Sequence, residues 1–216
     1  MLRFDTVLFD LDGTLTDPAE GITNSVAYAL ERFGIHVEDR STLLPFIGPP
    51  LKESFVKFYG LSDADGERAV EIYREYFKPT GIFENRVYPG VPEMLEMLRA
   101  AGLRLCIASS KPEVFVQKIL DHFDLAKYFD AVCGSELDGR RTDKAEVIAE
   151  TLRRCPAERP VMVGDRHHDV DGAKKNGLPC AGVLFGYGGQ EELAKAGADF
   201  IAADILQLTE WLLAEI

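Results

Sequence analysis

The passage from Phe4 to Thr16, FDTVLFDLDGTLT, constrains this chain more than any other, because a short apolar run there ends abruptly in two carboxylates. Val7-Leu8-Phe9 has the length and composition of a strand covered on both faces. Asp10 and Asp12 stand at its end, where carboxylates are costly unless a cation or a proton uses them. Residues i and i+2 of a strand share a face, but Gly13 signals that the chain is already turning at Asp12. The two acids can therefore converge on one point in different roles. One can hold a metal and attack; the other can carry a proton. A plain turn is the competing reading of Asp12-Gly13 taken alone.

Downstream, the pattern changes from helical spacing to alternation. Ile22, Val26, Leu30 and Phe33 recur at helical intervals between Pro18 and Gly34. Further helices are expected near Arg40–Leu44, over Leu51–Tyr59 and over Asp65–Phe77, with a break at Phe46-Ile47-Gly48-Pro49-Pro50. That break is either a substrate loop or a simple interruption. Residues 17–82 thus read as an all-helical lobe with no convincing strand. From Val91 onward strands and helices alternate, with strands expected at Leu103–Ala108, Phe129–Cys133, Pro160–Val163, Cys180–Leu184 and Asp199–Ile201. Helices are expected at Val91–Ala101, from Pro112 through Phe123, and at Asp143–Arg154, His168–Asn176, Glu191–Ala196 and Ile205–Ala214. Repeated βα units imply a mostly parallel, doubly wound sheet. The expected architecture is a Rossmann-like α/β core (1–16 and 83–216) carrying an inserted helical cap (17–82). Phe33, Phe55, Phe77 and Phe123 are expected in cores.

In such sheets ligands sit beyond the carboxyl ends of the strands, where strand order reverses. Asp10 and Asp12, Ser109 and Ser110, and Gly164-Asp165 all fall at such ends. A strand order of 3-2-1-4-5-6 would set Asp10 beside Asp165. Two carboxylates from adjacent strands make a hard oxygen site suited to Mg²⁺. Lys144 brings a positive charge from a helix start that Thr142 or Asp143 can cap. Ser109 can donate to a phosphate oxygen, and Lys111 beside it is either a phosphate or cap contact or a solvated surface residue. Metal, cation and donors around one Asp match what phosphoryl transfer requires.

The net charge of −12 and the absence of a Lys/Arg-rich stripe argue against a nucleic-acid surface. That acidity also means an anionic substrate needs a local cation against the global field. No apolar run approaches transmembrane length, so no membrane partner is expected. Cys106, Cys133, Cys155 and Cys180 are widely spaced, which suits a reducing cytoplasm better than a disulfide framework. The partner expected is a small-molecule phosphate ester, taken by a monomer or homodimer.

Asp10-Leu11-Asp12-Gly13-Thr14, Ser109, Lys144 and Gly164-Asp165 with Asp169 four residues on resemble, in that order, the haloacid dehalogenase-like hydrolases. The resemblance covers essentially the whole chain, and the helical insertion looks like the family's small cap. It implies that Asp10 is the nucleophile, forming an aspartyl-phosphate. It implies that Asp12 is the general acid/base, with its backbone carbonyl on Mg²⁺. Ser109 and Lys144 would hold the phosphoryl group, Asp165 would bind Mg²⁺, and Asp169 would support the metal shell. Dehalogenases of the family lack an acid at the position of Asp12, and P-type ATPases carry Lys there. Asp12 therefore implies phosphate-ester hydrolysis or phosphomutation.

The stretches Gly182–Leu193 and Gly197-Ala198-Asp199 further resemble phosphoglycolate phosphatase-like and nucleotidase-like members. Ser110 stands where Asn is frequent and Arg166 where Ser or Thr is frequent; Arg166 is either a surface residue or an added anion contact. His167-His168 is expected to be an exposed or capping pair rather than a metal site. The leading expectation is an Mg²⁺-dependent phosphomonoesterase whose cap loop around Gly48 contacts the leaving group. A sugar phosphomutase and a receiver-like phospho-acceptor are the alternatives.

Overall fold

The computed structural model describes residues 2–215. The opening apolar run forms β1 (Thr6–Phe9), buried along its whole length. After the turn come β2 (Thr16–Asp17), α1 (Ala19–Glu31), a 3₁₀ segment Arg40–Phe46, α2 (Leu51–Tyr59), α3 (Asp63–Tyr76), a π turn Phe77–Gly81 and β3 (Arg86–Val87). The alternating region supplies α4 (Val91–Ala100), β4 (Arg104–Pro112), α5 (Glu113–His122), a 3₁₀ turn Ala126–Tyr128, β5 (Ala131–Ser135) and α6 (Lys144–Arg154). It continues with β6 (Pro160–Gly164), α7 (His167–Lys175), β7 (Cys180–Val183), α8 (Gln190–Ala196), β8 (Phe200–Ala202) and α9 (Ile205–Leu212).

Six strands form one sheet in the order β5-β4-β1-β6-β7-β8, every neighbouring pair parallel. Numbered along the alternating core, this is the order 3-2-1-4-5-6. β1 is central, pairing Phe9 with Ile107 of β4 on one side and with Val163 of β6 on the other. The sheet is flanked by helices, and a buried apolar cluster that includes Leu8, Cys106, Val147, Ile148, Met162 and Val170 packs one of its faces. All four cysteines are buried free thiols. Among the described residues no helix is long and apolar enough to cross a membrane.

The chain divides into two compact units, 1–16 with 87–216, and Asp17–Arg86. The helical unit runs four residues past the expected boundary at 82 because Glu84 ties the return segment to it. The Glu84 carbonyl accepts Gly21 N–H, and its carboxylate accepts from Asn24 (3.1 Å) and Tyr76 (2.9 Å). Inside this unit Phe46 packs on Phe55, Phe58 and Tyr59 with ring centroids 5.0–6.0 Å apart. The strands β2 and β3, which sequence patterning did not reveal, pair as a two-stranded ribbon. Two residues are too few for a periodic signal.

Other differences are local. β4 continues through Pro112 instead of ending at Ala108, with its register against β5 shifting between those two residues. β5 starts two residues later than expected, because the 3₁₀ turn Ala126–Tyr128 precedes it. α3 begins at Asp63, since Ser62 caps it by accepting from Asp65 N–H. Phe55 and Phe77 are core residues, whereas Phe33 and Phe123 are only half-buried at helix ends.

Candidate active site

The pairing of Phe9 with Val163 sends the next residues of β1 and β6 out of the same sheet end, and Asp10 N–H donates to the Val163 carbonyl at 2.9 Å. The chain then folds tightly over itself. Leu11 C=O accepts from Thr14, Leu15 and Thr16, and Gly13, at φ +82, makes the turn that an L side chain rarely allows. A Cβ at Gly13 would lie 2.3 Å from Asp165 Oδ2, so the turn also needs glycine for close approach.

Lys144 opens α6, where Asp143 rather than Thr142 is the cap, accepting Ala145 N–H at 2.7 Å. The Lys144 ammonium lies 3.0 Å from Asp10 Oδ1 and 2.9 Å from Asp169 Oδ1, and donates to the Ala108 carbonyl at 3.1 Å. Asp169 sits in the first turn of α7, its Oδ2 accepting Arg166 N–H at 3.1 Å. Oxygens of Asp10, Asp165 and Asp169 all fall within 4.8 Å of one another, the one such acidic cluster among the described residues.

Three clustered carboxylates, two of them paired with the one ammonium, leave an excess of negative charge in a buried place. Burial, then Asp169 and Asp10, push the Asp165 carboxyl up to about 8. Burial also raises Asp169 to about 6; Lys144 works against that rise and Asp10 adds to it. Burial opposes the charge on Lys144, but Asp10 and Asp169 outweigh it and hold the ammonium protonated well above its ordinary range. Asp165 Oδ2 accepts Tyr187 N–H at 2.7 Å, while its Oδ1 is buried without a hydrogen-bond partner. An all-oxygen cluster with excess negative charge and an orphaned carboxylate oxygen fits a hard divalent cation such as Mg²⁺.

Asp12 is not one of the three clustered carboxylates. Its Oδ2 is 2.5 Å from Lys111 Nζ, both side chains are largely buried, and its Oδ1 makes no hydrogen bond. Burial raises the Asp12 carboxyl, against the pull of Lys111 and with a push from Asp10. Lys111 is therefore not a solvated surface cation: it is the partner of the second acid. The strand irregularity at the end of β4 accompanies this placement, since it falls across Ser109, Ser110 and Lys111. Ser109 is buried, with its Oγ accepting Lys111 N–H at 3.4 Å, and Ser110 is half-exposed.

Arg166 and His167 both turn to Glu192, at 2.9 and 2.8 Å from its Oε1. Despite burial, the His167 backbone and ring and Arg166 hold the Glu192 carboxyl down at about 2. Burial and the neighbouring His167 and Arg166 lower His168. His167 is thus engaged with Glu192, and the His168 ring lies against that of His167. Gly48 belongs to the helical unit, exposed and at φ +104 in the link before α2. Phe46 and Ile47, expected in that loop, are core residues of the helical unit. Sequence reasoning missed the Tyr187 N–H contact to Asp165; the only trace of it is the clustering of glycines at 186, 188 and 189.

A family model described as haloacid dehalogenase-like hydrolase matches residues 7–183. A 5'-nucleotidase of Pseudomonas aeruginosa is 48% identical over 213 residues, covering 98% of this chain and 96% of its own length. The tyrosine-protein kinase PtkA of Mycobacterium tuberculosis is 39% identical over 210 residues, with 95% and 72% covered. A phosphoglycolate phosphatase of Aquifex aeolicus is 31% identical over 183 residues, with 84% and 85% covered. The crystal structure of a predicted phosphatase from Clostridium acetobutylicum superposes with a TM-score of 0.94 at 48% identity, covering 97% of this chain and 98% of that one. Sheet order, the strand-end acids and these similarities agree: the chain belongs to the haloacid dehalogenase-like hydrolases, as a phosphatase.

Proposed function

We propose that this phosphatase hydrolyses a small phosphate monoester in two steps through an aspartyl-phosphate on Asp10. The observation that carries the reading is the division of labour among the strand-end acids. Asp10 lies in the carboxylate cluster with Asp165 and Asp169, whereas Asp12, two residues on, is ion-paired with Lys111. Asp10 attacks phosphorus, the ester P–O bond breaks, and Asp12 gives its proton to the departing alcohol oxygen. Asp12 then takes a proton from the water that attacks the aspartyl-phosphate, releasing inorganic phosphate and restoring Asp10.

A carboxyl raised by burial suits that exchange, because it starts protonated more readily than an exposed acid. Lys144 orients the Asp10 carboxylate and offsets charge on the phosphoryl oxygens. Ser109 donates to the same group. Asp10, Asp165 and Asp169 would hold Mg²⁺, with the Asp12 carbonyl as a further ligand. The ion supplies charge neutralisation on the phosphoryl oxygens.

The relatives named 5'-nucleotidase and phosphoglycolate phosphatase support a compact, soluble substrate that is nucleotide- or phosphoglycolate-like. We assign choice among leaving groups to the cap, the helical unit 17–86, and there to the loop bearing Gly48. Four buried free thiols are consistent with a reducing cytoplasm. A panel of phosphorylated metabolites incubated with enzyme and Mg²⁺, assayed for free phosphate, tests the reading. Release from one or a few small esters is expected. An isomerised sugar phosphate without free phosphate would make the enzyme a mutase and refute hydrolysis. The PtkA relative gives a second reading, transfer of the Asp10-bound phosphoryl group to a protein tyrosine. Phosphotyrosine formed from labelled nucleotide, absent in Asp10→Asn, would favour it.

A further inference from the structure

The segment Gly186-Tyr187-Gly188, between β7 and α8, reads in sequence as a loose glycine-rich link. Its geometry is the opposite of loose. Neither Gly186 nor Gly188 takes a positive φ, so backbone conformation does not require glycine at either position. Close approach does. A Cβ on Gly186 would stand 2.2 Å from the Gly13 carbonyl oxygen, 2.4 Å from Asp165 Cβ and 2.6 Å from Asp165 Oδ2. A Cβ on Gly188 would stand 1.8 Å from the Asp165 carbonyl oxygen. Real Cβ atoms essentially never approach to under 3.0 Å, so Asp165 or the Gly13 turn would have to move by most of an ångström. Between the two glycines, Tyr187 N–H donates to Asp165 Oδ2 at 2.7 Å.

We infer that residues 186–188 form a backbone clamp that orients the Asp165 carboxylate, tying back Oδ2 and leaving Oδ1 to the cation. Three observations converge on it. The bare glycine backbones pack directly on Asp165 and on the Gly13 turn. The one N–H between them is spent on Oδ2. Oδ1 of the same carboxylate is buried without a hydrogen-bond partner, in a cluster of ligand oxygens. A carboxylate that can rotate would present either oxygen, or both, to a small octahedral ion that tolerates little error in geometry. Groups that hold a ligand from behind typically account for about 10–100-fold in metal affinity. The clamp would also fix the spacing between the β1 turn and the β6 end, because Gly186 touches Gly13 and Asp165 together. Residues 186–188 are positioning residues, acting through Asp165.

The inference rests on the Mg²⁺ site of the proposed function, so the test separates the two. Wild type, Gly186→Ala and Gly189→Ala are compared by thermal unfolding in chelator and across a Mg²⁺ titration, with kcat and KM for an aryl phosphate measured in parallel. A methyl at Gly189 meets no atom within 4 Å, which makes it the control for glycine loss in the same loop. Gly186→Ala is expected to shift the Mg²⁺ midpoint of stabilisation upward about 10–100-fold and to lower kcat at fixed Mg²⁺, with KM little changed. Gly189→Ala is expected to follow the wild type. A Mg²⁺ midpoint in Gly186→Ala equal to that of the wild type overturns the clamp.

Should Gly186→Ala not fold, the wild type alone decides by amide exchange and chemical shift at Tyr187. Slow exchange in chelator and a shift on adding Mg²⁺ are expected; fast exchange, or a resonance indifferent to Mg²⁺, overturns the clamp. A wild type that responds to Mg²⁺ in neither experiment overturns the metal reading itself.

Discussion

Replacing Asp165 with Asn should make the metal-free protein more stable while destroying its response to Mg²⁺. The buried oxygens of Asp10, Asp165 and Asp169 lie within 4.8 Å of one another. Two like charges at that distance repel by about 3.5 kcal/mol at an effective dielectric of 20. Burial first, and then Asp169 and Asp10, raise the Asp165 carboxyl, so its charge is costly in the folded chain for both reasons. It takes up a proton near pH 8 in the folded chain, against a reference of 3.8. A carboxyl raised on folding binds more protons in the native than in the unfolded state, so stability falls as pH rises between those two values. Asn keeps an oxygen to accept Tyr187 N–H and removes the charge.

In chelator at neutral pH the variant should therefore gain about 3 kcal/mol, or roughly 6–12 °C in Tm for a chain of this size. Its Tm should fall less steeply with pH than that of the wild type, the remaining slope coming from the raised Asp169 and Asp12 carboxyls. In Mg²⁺ at a hundred times its dissociation constant the wild type should recover about 2.7 kcal/mol, and the variant far less. Differential scanning calorimetry from pH 5 to 8, with and without Mg²⁺, reads all of this. An Asp165→Asn protein no more stable than wild type in chelator, or equally stabilised by Mg²⁺, would refute the charge-excess account of the site.

Asp10→Asn should abolish turnover with the fold retained, since an amide cannot attack phosphorus; acid-quenched wild type should carry a hydroxylamine-labile phosphoryl group that the variant lacks. Asp12→Asn should slow turnover by about 10²–10⁴-fold, the range for lost general acid/base catalysis. In single-turnover phosphorylation it should penalise poor leaving groups more than activated aryl phosphates, and equal slowing of both would show that Asp12 is not the acid. In the cap loop, Gly48 is held at φ +104 and a side chain there strains the backbone. The half-buried Leu51 at the start of α2 is thus the better probe. Leu51→Tyr should change the ratio of kcat/KM between metabolites more than activity toward an aryl phosphate, and a uniform loss would make the loop structural.

The chemistry was legible where residue type and chain position coincide. A strand that ends in Asp10 and Asp12 is written locally, because hydrophobic period, turn glycine and carboxylates all fall within ten residues. The same holds for Lys144 at a helix start, whereas Asp169 was singled out only by the family resemblance. Helices of the insertion were readable from apolar spacing, but the fate of single aromatics was not. Phe46 lies in a segment broken by Gly and Pro, yet the packing of four rings draws it into the core. The two-residue strands β2 and β3 fall below the length at which periodicity has meaning.

What the sequence determined by itself is the alternation of strands and helices, the helical insertion, and the list of acids and cations that stand at strand ends. These follow from side-chain period and turn chemistry, which act over a few residues. Tertiary structure alone decided who pairs with whom. Lys111 could serve phosphate, cap or solvent by sequence alone; the structure sets its buried ammonium 2.5 Å from Asp12, at the irregular end of β4. Arg166 and His167 were open surface candidates until Glu192, more than twenty residues away, took both. The glycines at 186 and 188 look like slack in the chain, and only the approach of Asp165 from β6 shows that there is no room for anything larger. Pairings of this kind depend on charge and excluded volume between segments distant in sequence, and no local pattern encodes the distance at which two such segments will meet.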